Sequence, residues 1–324
     1  MTERPEPPSH ALEPSRRAFI GAASASVLAW ASGACGREGP RPFRFSGIPD
    51  ADKEELSRRY QAVAEYLGKA LQRPVEYVHV PDYTAAVTAL ASSKIDAAWL
   101  GGVTAVQAED RTPAGVHFVA AREVDLRFKS YFVANRSWVD RGTLSARADR
   151  SPQPLEALAA LGPTLAQGSF TFGAKSSTSG HIMPRWFLES EAVGLSPESS
   201  FRGPPGYQLK GGHSATLSAV ASSATDFGVV NYAAWESADE ATRQAAPVVY
   251  VTPEYVDYCF VAHGGLDKKT VEALRTALVD LDPEDPTHLE VLTAFSAQAF
   301  VAAEASRWDQ IRSVVRAMDE SHIG

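Results

Sequence analysis

Cysteine is scarce in this chain of 324 residues, because Cys35 and Cys259 are the only two. A framework of several disulfides is therefore excluded, and if Cys35 is modified no internal disulfide can form. Histidine and cysteine also form no sequence cluster with the spacing of metal ligands. We therefore expect neither a metal site nor a cofactor.

An excess of basic residues is lacking as well, since 39 acidic side chains outnumber 31 lysines and arginines and give a net charge of −8. Such a charge balance has no electrostatic footprint for nucleic acid, so no nucleic-acid partner is expected. A bound anion would have to be held by local hydrogen-bond donors and not by a long-range field. The 44% apolar content is enough for two modest hydrophobic cores.

Long apolar runs are also missing, since a membrane-spanning helix needs about 20 residues. The apolar stretch at residues 19–31 is shorter than that and follows Arg16 and Arg17. Paired arginines before a short apolar region are typical of a twin-arginine export signal. An unstructured N-terminus that happens to carry two arginines is the alternative.

Small residues precede Cys35, as they do at the cleavage site of a lipoprotein signal. This pattern predicts that Cys35 becomes the lipidated first residue of the mature protein. Ser32 stands where leucine is usual, so ordinary cleavage after Ala31 or after Ala34 is the alternative. The sequence therefore predicts a periplasmic or cell-envelope protein, anchored by lipid if Cys35 is modified.

Two segments of the chain resemble each other at a constant offset of 130 residues, one starting at Tyr83 and the other at His213. Each predicts a short amphipathic helix, a Ser-Ser stop and a buried strand that opens with an aspartate, Asp96 or Asp226. Flanking segments complete a strand–helix–strand–helix–strand unit in each half. We therefore predict two similar α/β lobes, with chance similarity of Ala/Ser-rich helices as the alternative.

Apolar or alternating runs at residues 116–121 and 130–134 predict strands that carry the chain from the first lobe to the second. Residues 248–251 and 258–262 predict the return crossing. Two lobes with two crossings leave a cleft between them, which is the usual place for a small ligand. The C-terminal stretch 286–318 is predicted to be helical.

Between a predicted strand and a predicted helix lies the run Ser176-Ser177-Thr178-Ser179. Free N–H groups at a helix N-terminus attract anions, and hydroxyl groups add further donors. Capping of the helix alone would need a single serine. Four hydroxyl residues in a row therefore predict a site for an anion.

With these motifs in place, the chain resembles the phosphate-, phosphite- and phosphonate-binding proteins of ABC importers over nearly all of its mature length. The landmarks, taken in their order and spacing, are Ile48-Pro49-Asp50, Asp82-Tyr83-Thr84, Asp96-Ala97-Ala98-Trp99-Leu100-Gly101, Phe128-Lys129-Ser130-Tyr131, Ser176-Ser177-Thr178-Ser179-Gly180-His181, Gly212-His213-Ser214, Asp226-Phe227-Gly228-Val229-Val230-Asn231 and Tyr255-Val256-Asp257-Tyr258. The resemblance implies a bilobal α/β periplasmic-binding-protein fold of type II, with two mixed-sheet lobes joined by two crossover strands. The expected limits are a signal at 1–35, a linker at 36–42, one lobe at 43–125 with 255–324, and the other lobe with the hinge crossings at 126–254.

The resemblance also implies a set of ligand-binding residues, which are Tyr83, Trp99, Ser176, Ser177, Thr178, Ser179, His213, Asp226, Tyr131 and Asn231. Tyr83 and His213 would face the cleft from the two lobes, and Trp99 would form an apolar wall. Asp226 would accept a hydrogen bond from a protonated group of the ligand. The alternatives are a core position for Trp99 and a purely structural capping role for Asp226, like that of Asp96.

The implied function is that of an extracytoplasmic solute-binding protein that delivers phosphite, a phosphonate or phosphate to an ABC permease and its ATPase. A monomer without enzymatic activity is expected. Similarity around Gly101-Gly102-Val103 and Asn231-Tyr232 to a subgroup associated with selenate leaves selenate or sulfate as an alternative ligand. A sensor subunit that presents its ligand to a histidine kinase would have the same fold and site.

An enzyme is the remaining class, because Ser177 or Ser179 could be drawn with His213 and Asp226 as a catalytic triad. The sequence has no Gly-x-Ser-x-Gly nucleophile elbow. A serine beside several other hydroxyl residues is better interpreted as one member of an array of donors. The sequence therefore favours binding over catalysis.

Overall fold

A computed structural model describes residues 41–49, 53–210 and 212–318 of the chain. The expected export signal, Cys35 and most of the expected linker lie outside the described residues. The described residues belong to one compact unit that begins at Pro40. None of their helices combines the length and the apolar character that a membrane crossing requires.

The described residues form eleven strands and thirteen α-helices. The strands are β1 Phe43–Gly47, β2 Val75–Tyr77, β3 Ala97–Leu100, β4 Val116–Arg122, β5 Ser130–Ala134, β6 Phe170–Phe172, β7 Gly206–Tyr207, β8 Phe227–Asn231, β9 Val248–Val251, β10 Cys259–His263 and β11 Phe300–Ala302. The helices are α1 Lys53–Ala70, α2 Tyr83–Ala91, α3 Gly102–Arg111, α4 Arg136–Asp140, α5 Leu155–Leu165, α6 Met183–Glu189, α7 Pro197–Ser200, α8 Gly212–Ala221, α9 Tyr232–Glu236, α10 Glu240–Ala245, α11 Lys268–Val279, α12 Pro286–Ala294 and α13 Asp309–Ala317.

Hydrophobic periodicity explains where these elements form. Helix α1 buries one stripe, made of Leu56, Tyr60, Val63 and Leu67, while its other faces carry charge. Spacings of three and four residues place such side chains on one side of a helix. Strands β3 and β8 lie inside their sheets and are buried at every position, as nearly continuous apolar runs in such places should be. The edge strand β9 is also buried at every position.

The strands form two mixed sheets. The first has the order β11-β4-β10-β3-β1-β2, with β1 parallel to both β2 and β3 and with β10 antiparallel to β3 and β4. The second has the order β7-β6-β8-β5-β9, with β6 parallel to β7 and β8 and with β5 antiparallel to β8 and β9. Each sheet is the centre of one lobe.

The chain crosses between the lobes twice, at residues 123–129 and at residues 252–258. The two crossings lie side by side, because Phe128 and Tyr255 form an antiparallel bridge with backbone hydrogen bonds of 2.8 and 3.0 Å. This arrangement confirms the predicted α/β fold with two mixed sheets. The residue limits given above for the lobes stay a prediction.

The internal duplication is visible in the backbone. Helix α2 leads to β3 as helix α8 leads to β8, and the two strands start 130 residues apart. Two residues after the end of each helix comes a serine in the left-handed region, Ser93 with φ 56° and Ser223 with φ 64°. The Ser-Ser stop therefore has the same geometry in both repeats.

The C-terminal region differs from the prediction of a continuous helical stretch. Strand β11 separates α12 from α13 and pairs antiparallel with the edge of β4 through Phe300, Val301 and Ala302. Phe300 is 3% exposed. The apolar side chains that suggested a helix face are thus used to extend the first sheet.

Candidate functional site

The hydroxyl loop, defined as residues 176–180, joins β6 to a π-helical turn, Thr178–Ile182, that continues directly into α6. Its hydroxyl side chains are buried, with exposures of 4% or less at Ser176, Ser177, Thr178 and Ser179. Ser177 caps the turn, because its Oγ accepts a hydrogen bond from the Gly180 N–H at 3.0 Å. Since that oxygen is already an acceptor, the hydroxyl proton of Ser177 is available for a further partner.

Gly180 allows His213 of the second repeat to approach this loop. A Cβ atom at Gly180 would lie 2.9 Å from Ser177 Oγ and 3.0 Å from His213 Cε1, closer than side chains normally pack. The absence of a side chain at this position therefore brings the imidazole and the hydroxyl group together. Sequence reasoning had placed both residues in the site.

His213 lies in the first turn of α8 and is 3% exposed. Its Nδ1 accepts a hydrogen bond from the Asn231 N–H at 3.2 Å, so the ring proton resides on Nε2. Nε2 has no hydrogen-bond partner within the described residues. Burial lowers the pKa of His213 to about 4, so the ring is neutral near pH 7 and offers one N–H donor.

Helix α3 of the first lobe begins opposite the hydroxyl loop. Its residue Val103 donates its N–H to Thr178 Oγ1, and Gly102 donates its N–H to Asp257 Oδ1, each at 2.9 Å. Gly101 supplies no side-chain cap, so these helix-terminal donors depend on groups from outside the helix. The N-termini of two helices, one from each lobe, therefore meet at one place and favour negative charge there.

Asp257 stands on the second crossing and is 1% exposed, and the buried Asp125 of the first crossing lies nearby, since its carbonyl oxygen accepts the Asp257 N–H at 3.0 Å. Burial raises its pKa to about 7, although the hydrogen bond from the Gly102 N–H acts in the opposite direction. Its second oxygen, Oδ2, makes no hydrogen bond in the described part of the chain. Sequence reasoning gave Asp257 no role, and the available signal was an acidic residue in the otherwise apolar run that enters β10.

A cavity of about 410 Å³ extends from His213 between the two lobes and beside both crossings. Trp99 and Tyr258 line it, with their rings stacked at 5.6 Å and 15°. The Arg122 guanidinium lies 5.4 Å from the Trp99 ring and 5.1 Å from the Tyr258 ring, and it is held there by a 2.7 Å ion pair with buried Asp125. Trp99 is thus both a core residue, at 3% exposed, and a wall of the cavity.

Three further residues were expected to contact the ligand, namely Tyr83, Tyr131 and Asn231, and each has its own environment in the structure. Tyr83 is the first residue of α2, packs in the hydrophobic core and is outside the cavity lining. Tyr131 is fully buried and donates its hydroxyl to Glu236 Oε1 at 2.7 Å, so it fixes a residue that lines the cavity. Asn231 lines the cavity and caps α9, because its Oδ1 accepts the Ala234 N–H at 2.6 Å.

Asp226 does not reach the cleft, which corrects the expectation that it contacts the ligand. It precedes β8, whereas Asn231 at the opposite end of that strand lines the cavity. Its Oδ2 accepts hydrogen bonds from the N–H and the hydroxyl of Ser169, both at 2.8 Å, and its Oδ1 accepts from Trp138 Nε1 at 2.9 Å. Arg202 completes this arrangement with an ion pair of 2.6 Å.

The physical reason for this placement is visible in the other repeat. Asp96 Oδ2 accepts the N–H of Arg44 at the start of β1 at 2.8 Å, as Asp226 Oδ2 accepts the N–H of Ser169 before β6. Each carboxylate therefore joins the amino ends of two neighbouring strands. The contacts therefore support the alternative in which Asp226 has a purely structural capping role, like that of Asp96.

Comparison with known proteins gives a family for the chain. Residues 45–308 match the model of a family described as "ABC transporter, phosphonate, periplasmic substrate-binding protein". A protein of Prochlorococcus marinus (strain MIT 9301), named "Probable ABC transporter phosphite binding protein PhnD1", is 31% identical over 288 residues. That match spans 87% of this chain and 91% of the relative.

Solved structures agree with the observed fold. The structure of PhnD1 from Prochlorococcus marinus in complex with methylphosphonate matches with a TM-score of 0.75 at 30% identity, over 86% of this chain and 98% of that one. A binding-protein component of an ABC phosphonate transporter from Pseudomonas aeruginosa matches with a TM-score of 0.68 at 19% identity, over 85% of both chains. The second likeness concerns the fold alone.

Proposed function

The chain belongs to the family of periplasmic substrate-binding proteins of phosphonate ABC transporters, and we propose that its ligand is a small phosphorus oxyanion carrying one proton. Phosphite and methylphosphonate carry one hydroxyl proton in their monoanionic forms, and phosphate carries one in its dianionic form. The names of the relatives, which mention phosphite and methylphosphonate, support this class of ligand. The family serves transport and not catalysis.

The donors of the site support an anion as the ligand. Ser177 Oγ and His213 Cε1 both lie next to Gly180. The Ser177 hydroxyl keeps its proton for a further partner, and the Nε2–H of His213 has no acceptor within the described residues. The N-termini of α3 and of the π-helical turn add a favourable dipole, although the N–H groups of Gly102, Val103 and Gly180 already donate to Asp257, Thr178 and Ser177. A buried N–H without an acceptor is destabilising by about 1–3 kcal/mol, and an anionic oxygen would remove that penalty at His213.

The observation that carries the proposal is the buried Oδ2 of Asp257, which has no hydrogen-bond partner within the described residues. Its carboxylate lies at the N-terminus of α3, where Thr178 of the hydroxyl loop also contacts the first lobe. Burial raises the pKa of Asp257 to about 7, so at higher pH the carboxylate is mostly ionised and can only accept hydrogen bonds. In that range it discriminates among tetrahedral anions. The oxygens of fully deprotonated sulfate or selenate have no proton to donate, so the carboxylate would repel them, and a buried site screens this repulsion poorly. Against a monoprotonated phosphorus oxyanion the carboxylate gains a charge-assisted hydrogen bond.

Calorimetric titration with phosphite, methylphosphonate, phosphate, sulfate and selenate tests the proposal at a single pH near 7.5. We expect phosphite and methylphosphonate to bind best and sulfate and selenate to bind at least tenfold more weakly. The factor follows from the 1.5–3 kcal/mol of a hydrogen bond to a charged group. Binding of selenate in preference to every phosphorus anion would contradict the proposal.

We further propose that the protein is exported through a twin-arginine signal and is tethered by lipid at Cys35. The support is the pair Arg16-Arg17 before a short apolar stretch, and the small residues that precede the cysteine. In this position a monomeric protein would present its closed, ligand-bound form to an ABC permease and its ATPase.

A further inference from the structure

A hydrogen-bonded chain leads from the second crossing to the hydroxyl loop. The hydroxyl of Ser130, at the start of β5, donates to the carbonyl oxygen of Ser179 at 2.7 Å. The hydroxyl of Tyr255 lies 2.5 Å from the Oγ of Ser130. A carbonyl oxygen can only accept a hydrogen bond, so the single hydroxyl proton of Ser130 is donated to Ser179. The hydroxyl of Tyr255 must therefore be the donor in its hydrogen bond with Ser130.

The chain continues through one peptide group. The Ser179 carbonyl belongs to the same amide as the Gly180 N–H, and that N–H donates to Ser177 Oγ at 3.0 Å. Ser177 therefore receives a hydrogen bond and keeps its own proton for an outside acceptor. From Tyr255 through Ser130 and the peptide to Ser177, every hydrogen bond runs in the same direction.

Such a one-way chain has physical consequences in this environment. Hydrogen bonds in series polarise one another, and they do so more strongly where water is excluded. Ser130 and Tyr255 are 0% and 3% exposed, as buried as the hydroxyl loop itself. Burial raises the pKa of Tyr255 well above its usual value, so the phenol stays protonated and remains a donor.

The position of Tyr255 ties this chain to the hinge. Its backbone pairs with Phe128 of the first crossing, and Asp257 follows two residues later on the same segment. Rotation of the second crossing would therefore move the starting point of the chain. The direction of the Ser177 proton is thus linked to the geometry of the crossings.

We propose that Tyr255 and Ser130 are positioning residues for anion binding, which orient the Ser177 hydroxyl proton toward the ligand through this one-way chain. The inference rests on the proposed binding of a phosphorus oxyanion by the hydroxyl loop. Neither residue needs to contact the ligand. Their effect on affinity therefore passes through Ser177.

A double-mutant cycle tests this route with methylphosphonate as the probe. Tyr255→Phe removes one hydroxyl and should raise the Kd about three- to tenfold, the factor expected for one net hydrogen bond. In the background of Ser177→Ala the same change should alter the Kd less than twofold. Ser130→Ala interrupts the chain at its next member and should reproduce this pattern if Tyr255→Phe is poorly folded.

Tyr250→Phe is a matched control, because Tyr250 is also buried and its hydroxyl contacts only the backbone carbonyls of Gln153 and Pro154 among the described residues. It should lower the melting temperature without changing the Kd. Equal effects of Tyr255→Phe with and without Ser177, or an unchanged Kd, would overturn the inference. Wild-type protein that binds neither methylphosphonate nor phosphite would instead refute the proposed function.

Discussion

The substitution Asp257→Asn replaces one carboxylate oxygen of the site by an NH2 group. An asparagine can keep the hydrogen bond in which Oδ1 accepts the Gly102 N–H at 2.9 Å. The second oxygen, which has no partner among residues 41–49, 53–210 and 212–318, becomes an NH2 group. An acceptor is thereby replaced by a donor at nearly constant shape.

The expected effect on binding has opposite signs for two classes of ligand. A monoprotonated phosphite or methylphosphonate loses a charge-assisted hydrogen bond of about 1.5–3 kcal/mol, which corresponds to roughly ten- to a hundredfold in Kd. Fully deprotonated sulfate and selenate lose a repulsion and gain a donor. Their affinity should therefore rise, and the order of preference should narrow or invert.

Stability of the ligand-free protein gives an independent check. The folded-state pKa of Asp257, about 7, lies above that of an unfolded aspartate, so the folded protein holds the extra proton between roughly pH 4 and pH 7. Its stabilising contribution is complete below that window and is lost as the pH rises through 7. Asp257→Asn should therefore melt at a higher temperature than wild type at pH 8, with a smaller difference at pH 5.

Titration calorimetry and thermal unfolding of the two proteins measure both effects. Asp226→Asn is the matched control, because it makes the same chemical change at a carboxylate held by Ser169 and Trp138 away from the cleft. An unchanged ligand order in Asp257→Asn would refute the reasoning. A changed order in Asp226→Asn would restore that residue to the site.

Three further predictions concern other parts of the molecule. Asp226→Ala should lower the free energy of unfolding by about 2–3 kcal/mol, since several hydrogen bonds are lost, and should leave the Kd for methylphosphonate unchanged in the same titrations. His213, with a pKa near 4 when folded and about 6.5 when unfolded, makes the empty protein less stable as the pH falls through that window. Asp257 makes the opposite contribution in the same window, so the effect of His213 is measured as a difference between two proteins. In denaturant unfolding at pH 7 and pH 5, the free energy of unfolding of wild type should change by about 2 kcal/mol more unfavourably than that of His213→Gln, and an equal change in both proteins would contradict the assignment. Replacing Arg16 and Arg17 by lysine should leave precursor in the cytoplasm, whereas Cys35→Ala should release mature protein from the membrane fraction; unchanged fractionation of the cysteine variant would exclude the lipid anchor.

The sequence predicted the elements whose signals are local. Continuous apolar runs identified β3 and β8, and the repeat of 130 residues identified two similar lobes. The hydroxyl loop was recognisable because four hydroxyl residues between a strand and a helix exceed what capping needs. His213 was assigned to the site through its place in the second repeat, and its contact with a ligand stays a prediction.

The errors concern contacts between segments that are distant in sequence. Asp226 was assigned to the ligand because an acidic residue next to a strand can face a cleft, but only the fold shows which end of the strand it occupies. Asp257 was missed because its site depends on α3, which lies about 150 residues earlier and whose Gly102 gives no side-chain signal. Strand β11 was missed because Phe300 needs the edge of β4 as a partner, which short-range periodicity does not reveal.

The bridge between Phe128 and Tyr255 would have a mechanical consequence if the two lobes opened and closed. Two polypeptide segments fastened side by side by backbone hydrogen bonds cannot slide past each other without breaking those bonds. They can rotate together, because rotation leaves the bond lengths unchanged. Relative motion of the lobes is therefore reduced to a swing about a single axis, as in a periplasmic binding protein that closes by a hinge and not by shear. A ligand that contacts both lobes would then need to stabilise only one value of the angle between them.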